Sequence, residues 1–130
     1  MKLFHKSKDG GPDSNVTGYW LIEAKSLFSI VLLRFDKGSR EAYHNHAFNA
    51  VSWVLSGELL EYVSPALSIT NSYLPSIKHI YTPSERFHRV FGIADTTWVL
   101  SFRGPWSKTW KEYLPDEDRE ITLTNGRVVV

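Results

Sequence analysis

Two histidines separated by one residue are the feature of this sequence best suited to chemistry. The segment from Tyr43 to Ala47 places His44 and His46 at positions i and i+2. On a β-strand this spacing puts both imidazoles on one face, close enough to hold one metal ion. The same pair also fits a solvated strand face without function. The chain has no cysteine, so histidine is the remaining ligand for softer divalent metals.

The residues around this pair favour an all-β domain. Short segments rich in β-branched and aromatic residues alternate with turn-forming residues, and no window shows a helical period. These segments, in chain order, are 19–23, 27–35, 42–62, 68–73 and 77–81. Many short strands in a chain of this size indicate a β-sandwich or a closed double-sheet barrel.

Two hairpins are predicted in the second half of the chain. Residues 87–91 and 97–102 flank Gly92-Ile93-Ala94-Asp95, a composition that suits a tight antiparallel connection. Residues 121–123 and 127–130 flank Asn125-Gly126, a strong short-range hairpin signal.

Length and composition predict one folded domain. The chain has 130 residues, of which 42% are hydrophobic and 22% charged, as in an ordinary globular protein. Glycine, proline and polar residues collect before residue 17, so we expect a flexible N-terminal arm over residues 1–16 and a barrel domain over residues 17–130.

The charge balance argues against large charged partners. A net charge of +1 gives no field that favours nucleic acid or a membrane surface, so a small-molecule ligand is expected. The sequence starts without the apolar stretch of a signal peptide and has no apolar run long enough for a membrane span. We therefore expect a cytoplasmic protein.

The spacing around the histidine pair resembles the first signature motif of the cupin superfamily. Gly38 stands six residues before His44, and Gly57 stands eleven residues after His46. Ala50 occupies the position where the family motif carries a glutamate that serves as a fourth metal ligand.

A second stretch resembles the other cupin motif. Pro83 stands five residues before His88, and the interval between the two motifs has a normal length for the family. The resemblance implies a single-domain, all-β double-stranded β-helix, that is, a jelly-roll barrel. It also implies a metal site formed by His44, His46 and His88.

The missing glutamate defines the kind of metal site that the resemblance implies. A neutral three-histidine set suits Fe(II), Ni, Zn, Co or Cu and disfavours Mg²⁺ and Ca²⁺, which prefer oxygen ligands. The ligand set is similar to that of three-histidine non-haem iron dioxygenases, so Fe(II) is the expected metal. An ion without an anionic ligand keeps its full charge, which favours a small polar or anionic substrate.

Longer stretches resemble a narrower group of small uncharacterised cupins that are common in bacterial and tailed-phage genomes. These stretches run from Ser29 to Glu61 and from His88 to Trp106. Cupins often pair through sheet edges, so the resemblance implies a homodimer, and the segment from Gly104 to Trp110 is a candidate for a lid over the barrel mouth or for a dimer contact.

Further candidates surround the metal site. Arg34 and Arg103 are candidates for a bidentate clamp on a substrate carboxylate, against the alternative of outward, solvated side chains. Trp53 and Tyr81 are candidate substrate contacts, against the alternative that aromatic residues fill the core. Glu61 is a candidate catalytic base or an acidic metal ligand, against the alternative of a surface charge.

Three functions are consistent with the sequence. The first is an Fe(II)-dependent dioxygenase acting on a small polar or anionic molecule. The second is a non-catalytic cupin that binds or sequesters a sugar or a nucleotide-like ligand. The third, a metal-free isomerase or epimerase, needs a histidine base and is less natural when the histidines cluster.

Overall fold

A computed structural model describes residues 2–9, 14–38, 43–44, 46, 48–63, 69–84, 86, 88–107, 109–114, 119–124 and 128–129. In these ranges the ordered elements are all β-strands. The strands are β1 Lys2–Lys8, β2 Val16–Ala24, β3 Phe28–Gly38, β4 Tyr43–His44, β5 Ala50–Ser56, β6 Leu59–Val63, β7 Ile69–Tyr73, β8 Ile80–Thr82, β9 His88–Arg103, β10 Thr109–Leu114, β11 Arg119–Thr124 and β12 Val128–Val129. Within the same ranges, no helix has the length and apolar character to cross a membrane.

Two antiparallel sheets share strand β9. The front sheet has the order β1-β2-β3-β9-β5-β8, and the back sheet has the order β7-β6-β9-β4-β10-β11-β12. The second half of β9 pairs with β3 and β5, whereas its first half pairs with β6 and β4. This arrangement confirms the predicted all-β barrel.

The core lies between the two sheets because each strand alternates inward apolar residues with outward ones. The main cluster of buried residues consists of Trp20, Val31, Leu33, Val54, Leu59 and Val99. Val31 is fully buried, and each aliphatic side chain buried in this way contributes about 1.5–3 kcal/mol. A smaller cluster of Phe48 and Ala50, covered by Trp106 and Trp110, closes one end of the barrel.

Strand β9 continues through the segment where the sequence predicts a hairpin, so that prediction is wrong. Gly92 pairs with Gly38 of β3 and with Leu59 of β6, and its φ is not positive. A Cβ at Gly92 would lie 2.6 Å from the carbonyl oxygen of Asp36. The glycine is therefore needed for close approach of two backbones, and not for a turn.

The sequence predictions for the two ends of the chain have different outcomes. Residues 2–8, which the sequence placed in a flexible arm, form β1 and pair with β2 over the register from Lys2 opposite Glu23 to Lys8 opposite Thr17. Near the C-terminus, β11 and β12 pair antiparallel as predicted, while the Asn125-Gly126 turn lies outside the described residues.

We expect Gly92→Ala to destabilise the fold by about 1–3 kcal/mol, because the added methyl group would collide with backbone and not with a movable side chain. Gly104→Ala is the matched control, since the nearest atom to its Cβ is 3.7 Å away. Equilibrium urea unfolding followed by circular dichroism measures both variants. Equal stability of the two would contradict the close approach at Gly92.

Candidate metal centre

Strands β6 and β9 bring Glu61 and His88 together on the inner face of the back sheet. In their antiparallel register Glu61 lies opposite Val90, and Val63 lies opposite His88. Leu59 is buried in the core, so Glu61, two residues further along β6, is also turned inward. Only 2% of Glu61 and 5% of His88 is exposed, so both are fully interior groups.

Glu61 is surrounded by polar partners. Its Oε2 lies 2.5 Å from Nδ1 of His88, and its Oε1 accepts hydrogen bonds from the Tyr73 hydroxyl at 2.8 Å and from Nδ2 of Asn71 at 3.1 Å. Nη1 of Arg86 lies 3.7 Å from the same Oε1. A buried carboxylate needs such partners, because desolvation without them costs several kcal/mol, on the order of 3 to 5.

These contacts keep Glu61 ionised. Burial raises the pKa of its carboxyl group, but the hydrogen bond and charge of His88, with the hydrogen bonds from Tyr73 and Asn71, lower the pKa to about 2. Burial and the bond to Glu61 raise the pKa of Tyr73 to about 12. An ionised carboxylate only accepts hydrogen bonds, so Nδ1 of His88 carries the proton and donates to Glu61.

His46 lies beside His88. The two ring centroids are 4.8 Å apart, with the rings nearly perpendicular, and the His46 ring also contacts Phe48 at 5.1 Å. The backbone N–H of His46 donates to the Ser84 carbonyl at 3.1 Å, which ties this residue to the turn before β9. The predicted partners His46 and His88 are therefore neighbours in the barrel interior.

The backbone of His44 lies directly across the β4–β9 ladder from His88. Positions opposite each other in an antiparallel ladder share a face of the sheet. The His44 side chain is outside the described part of the structure. Among the side chains that are described, no three histidine, aspartate or glutamate residues are grouped to hold a metal ion, so the predicted triad of His44, His46 and His88 stays a prediction.

The described residues fit a divalent transition metal. The His46 and His88 rings contact each other edge to face, and imidazole is a ligand that such metals prefer. Histidine ligands in metal sites commonly donate their second N–H to a carboxylate, as His88 does to Glu61. Coordination of a metal by His88 would therefore use Nε2. Glu61 contacts the Nδ1 side of the His88 ring, and its role as a catalytic base or an acidic metal ligand stays a prediction.

Ala50 and Arg103 form another part of the barrel interior. Ala50 is buried and pairs with Arg103 across β5 and β9, so an apolar residue stands where the cupin motif carries glutamate. The Arg103 guanidinium is 4.5 Å from the Phe48 ring, and it binds the Asp9 carboxylate through both terminal nitrogens, at 3.2 and 2.8 Å. Arg103 faces inward, but Asp9 occupies its bidentate edge.

The structure does not bring Arg34 and Trp53 to Glu61 and His88. Both alternate with core residues and lie on the outer face of the front sheet. Arg34 donates to the Tyr19 hydroxyl at 3.0 Å, and Trp53 donates its indole N–H to the Ile77 carbonyl at 3.2 Å.

Tyr81 is also turned outward and is 51% exposed. It lies at the margin of a cleft of about 580 Å³. Asn71, Tyr73 and Arg86, which surround Glu61, also line this cleft. Tyr81 is therefore separated from the histidines but borders a space that reaches the partners of Glu61.

Sequence reasoning missed three residues of this interior network. Asn71 and Tyr73 bind Glu61, and Asp9 binds Arg103. A local signal existed for the carboxylate, since Glu61 stands between Leu59 and Val63 at an inward position of an alternating strand. Asp9 had no such signal, because it follows a strand that the sequence reads as a loose arm.

Comparison with known proteins gives matches at the level of structure. No family model matches the sequence, and no curated protein matches it. A sugar phosphate isomerase of the cupin superfamily from Silicibacter pomeroyi is 16% identical, with a TM-score of 0.68 over 100% of this chain and 92% of that chain. The polyketide cyclase RemF from Streptomyces resistomycificus is 21% identical, with a TM-score of 0.68 over 91% and 89% of the two chains.

An Fe(II)-containing protein, HppE, is also similar. It is 16% identical, with a TM-score of 0.60 over 76% of this chain and 55% of that chain. At these identities the similarities establish the fold and leave the reaction open. They confirm the predicted jelly-roll barrel.

In the metal-free protein, the free energy of unfolding of Glu61→Gln is expected to fall less on acidification than that of the wild type. The folded-state pKa of Glu61 is about 2, below its ordinary 4.5, so its contribution is complete above pH 4.5 and is lost as pH falls toward 2. This lowering of the pKa corresponds to about 3 kcal/mol of unfolding free energy at most. Urea unfolding of both proteins between pH 2 and 6 measures the difference.

Glu58→Gln provides the matched control, because the Glu58 carboxylate accepts an exposed hydrogen bond from Ser72. This variant should keep the pH dependence of the wild type. A Glu61→Gln profile parallel to the wild type would show that the buried carboxylate is not the group responsible.

Proposed function

The chain has the fold of the cupin superfamily, and from this premise we propose that it is a metal-dependent enzyme acting on a small polar or anionic molecule. One divalent transition metal is held by His44, His46 and His88. The observation that carries the proposal is the buried carboxylate–histidine–histidine series, in which Glu61 binds Nδ1 of His88 and the His88 ring contacts His46.

Glu61 acts on the metal centre as a positioning residue. Its bond to Nδ1 fixes the orientation of the His88 ring and leaves Nε2 as the nitrogen that would bind the metal. Hydrogen bonds from Tyr73, Asn71 and His88 engage both oxygens of the carboxylate, which argues against a role in abstracting substrate protons. Tyr73 and Asn71 hold the carboxylate in turn, so the ligand is oriented by two successive layers of hydrogen bonds.

In this proposal the substrate reaches the metal through the cleft that Tyr73 and Arg86 line. A three-histidine set leaves coordination positions open for a substrate, whereas a closed structural site does not. The Arg86 side chain lines the cleft and lies near Glu61, so it offers a cation to an anionic substrate. Phe48 is buried and its ring contacts His46, so the surroundings of this histidine are apolar on that side.

The specific reaction that we propose is dioxygenation with Fe(II). An Fe(II) ion bound there would supply positions for substrate and dioxygen together with redox chemistry. The protein residues bind and orient, and none of them is required as a nucleophile. The absence of a carboxylate at position 50 gives the neutral ligand set on which this choice depends.

Substitution of any one of His44, His46 and His88 by alanine is expected to weaken metal binding by about 100-fold or more while the fold is retained. His79→Ala is the control, because the His79 ring lies against Trp53 on the other side of the front sheet. Metal content by mass spectrometry and the visible spectrum of the Co(II) form measure binding, and circular dichroism measures the fold. Full metal content in His88→Ala would contradict the proposed site.

An enzyme and a non-catalytic binding protein can be distinguished by whether the bound compound is chemically changed. Protein loaded with Fe(II) under argon is exposed to oxygenated buffer with a panel of small carboxylates, sugars and nucleotides. Oxygen consumption that requires both a panel compound and intact His88 is the expected result. A compound retained in stoichiometric amount with unchanged mass and no oxygen uptake would instead support the non-catalytic binding cupin.

A further inference from the structure

Arg103 is a buried cation that aromatic rings hold in place inside the barrel. Only 5% of its side chain is exposed. Its guanidinium carbon lies 4.5 Å from the centroid of the Phe48 ring and 5.1 Å from that of the Trp20 ring. Such contacts restrict a guanidinium, so its planar fork loses little further conformational entropy when it binds an anion. The barrel interior therefore contains a cation that is already oriented.

The carboxylate of Asp9 occupies the end of this fork. One oxygen accepts a hydrogen bond from Nη1 of Arg103 at 3.2 Å, and the other accepts one from Nη2 at 2.8 Å. The Asp9 side chain is 29% exposed, so the contact is accessible to solvent from the Asp9 side. A free carboxylate in the same place could accept the same two hydrogen bonds.

The segment that carries Asp9 lies at the edge of the front sheet. Strand β1 ends at Lys8, is paired with β2, and has six exposed residues among its seven. The Asp9 N–H then donates to the Val16 carbonyl at 2.9 Å. Segments with few buried contacts open locally at a low cost in free energy. Asp9 therefore belongs to a segment that can move without unfolding the barrel core.

Two buried polar atoms on the Arg103 row add a second observation. Ser29 lies opposite Arg103 in the β3–β9 ladder, so the two side chains share the inner face. The Ser29 hydroxyl and Nε of Arg103 are buried, and neither has a hydrogen-bond partner within the described ranges. Ala50, opposite Arg103 on β5, contributes only a methyl group. Buried polar atoms are normally paired, so this row is better suited to a polar ligand than to a closed core.

We infer that Arg103 is the binding site for the carboxylate of a small ligand, and that Asp9 occupies this site as an internal competitor. The observed occupant is itself a carboxylate, which is why the site fits this chemical class. The Phe48 ring contacts both the Arg103 guanidinium and the His46 ring, so the site borders the proposed metal centre. The inference deepens the proposed function and rests on it for the identification of the ligand as the substrate.

A purely structural ion pair leads to a different expectation. Removal of one partner of a buried pair leaves an uncompensated charge and destabilises the fold, without creating a specific dependence on free carboxylates. At a ligand site, removal of Asp9 makes the Arg103 fork available. The affinity for a free carboxylate then rises, because the internal competitor reduces the fraction of molecules that can bind it.

The test is the binding of malonate to the metal-free protein, measured by isothermal titration calorimetry. Asp9→Ala should bind malonate about 10-fold more tightly than the wild type or better, as expected if Asp9 occupies the site in about nine molecules of ten or more. Arg103→Gln should lose this binding. Asp36→Ala is the matched control, because Asp36 lies 3.5 Å from Arg34 and is 49% exposed, so its removal should leave the malonate affinity unchanged.

A second variant covers the case in which Asp9→Ala does not fold. Asp9→Asn keeps the size of the side chain and removes its charge, so it should also bind malonate more tightly than the wild type. Malonate should raise the free energy of unfolding of Asp9→Asn more than that of the wild type, because a ligand stabilises the folded state that binds it. Urea unfolding followed by circular dichroism measures this difference.

Three results overturn the inference. Equal or undetectable malonate binding in the wild type, Asp9→Ala and Asp9→Asn would make the Asp9–Arg103 contact a structural ion pair. Malonate binding that survives in Arg103→Gln would place the ligand elsewhere. Inorganic phosphate bound more tightly than malonate would contradict the carboxylate class.

Metal content of the same proteins, measured by mass spectrometry after incubation with Fe(II), tests the proposed function separately. The expected malonate affinities in proteins that bind no metal would refute the metal centre and support the Arg103 site. Normal metal content with equal malonate affinities would refute the Arg103 site alone.

Discussion

The structure depends on the passage of one strand through both sheets. Strand β9 is 16 residues long, and its two halves lie in different sheets because the backbone at Gly92 can approach Asp36 and continue. The first half carries His88 into the back sheet, and the second half carries Val99 and Arg103 into the front sheet. A turn at Gly92 would separate these halves, and neither the barrel nor the histidine position would survive.

The interior of the barrel contains more ionised groups than a structural core requires. Glu61 and Arg103 are both nearly fully buried, and each is satisfied by partners that are distant in sequence. A buried ion pair is weak support for stability, since apolar residues of similar volume usually serve as well. In the metal centre that we propose, the Glu61–His88 contact has a further role, because it orients an imidazole.

The two faces of the front sheet differ in what they meet. Inward residues pack against the back sheet, whereas outward aromatic and aliphatic residues form a second apolar surface. The tryptophans therefore lie in three different places. Trp20 is in the core, Trp106 covers Phe48 at one end of the barrel, and Trp53 is on the outer side of the front sheet. This division explains why aromatic residues that the sequence assigns to a pocket lie elsewhere.

The sequence by itself determined the local features: short strands, the i, i+2 histidine pair, and the alternation that puts Glu61 on the same side of its strand as Leu59 and Val63. These depend on the two-residue period of a β-strand, which neighbours in the chain fix. Only the tertiary structure decided that Glu61 meets His88, 27 residues away, and that Asp9 meets Arg103, 94 residues away. It also decided that Arg34 and Trp53 face outward, because the period alternates residues between two faces without stating which face will be covered.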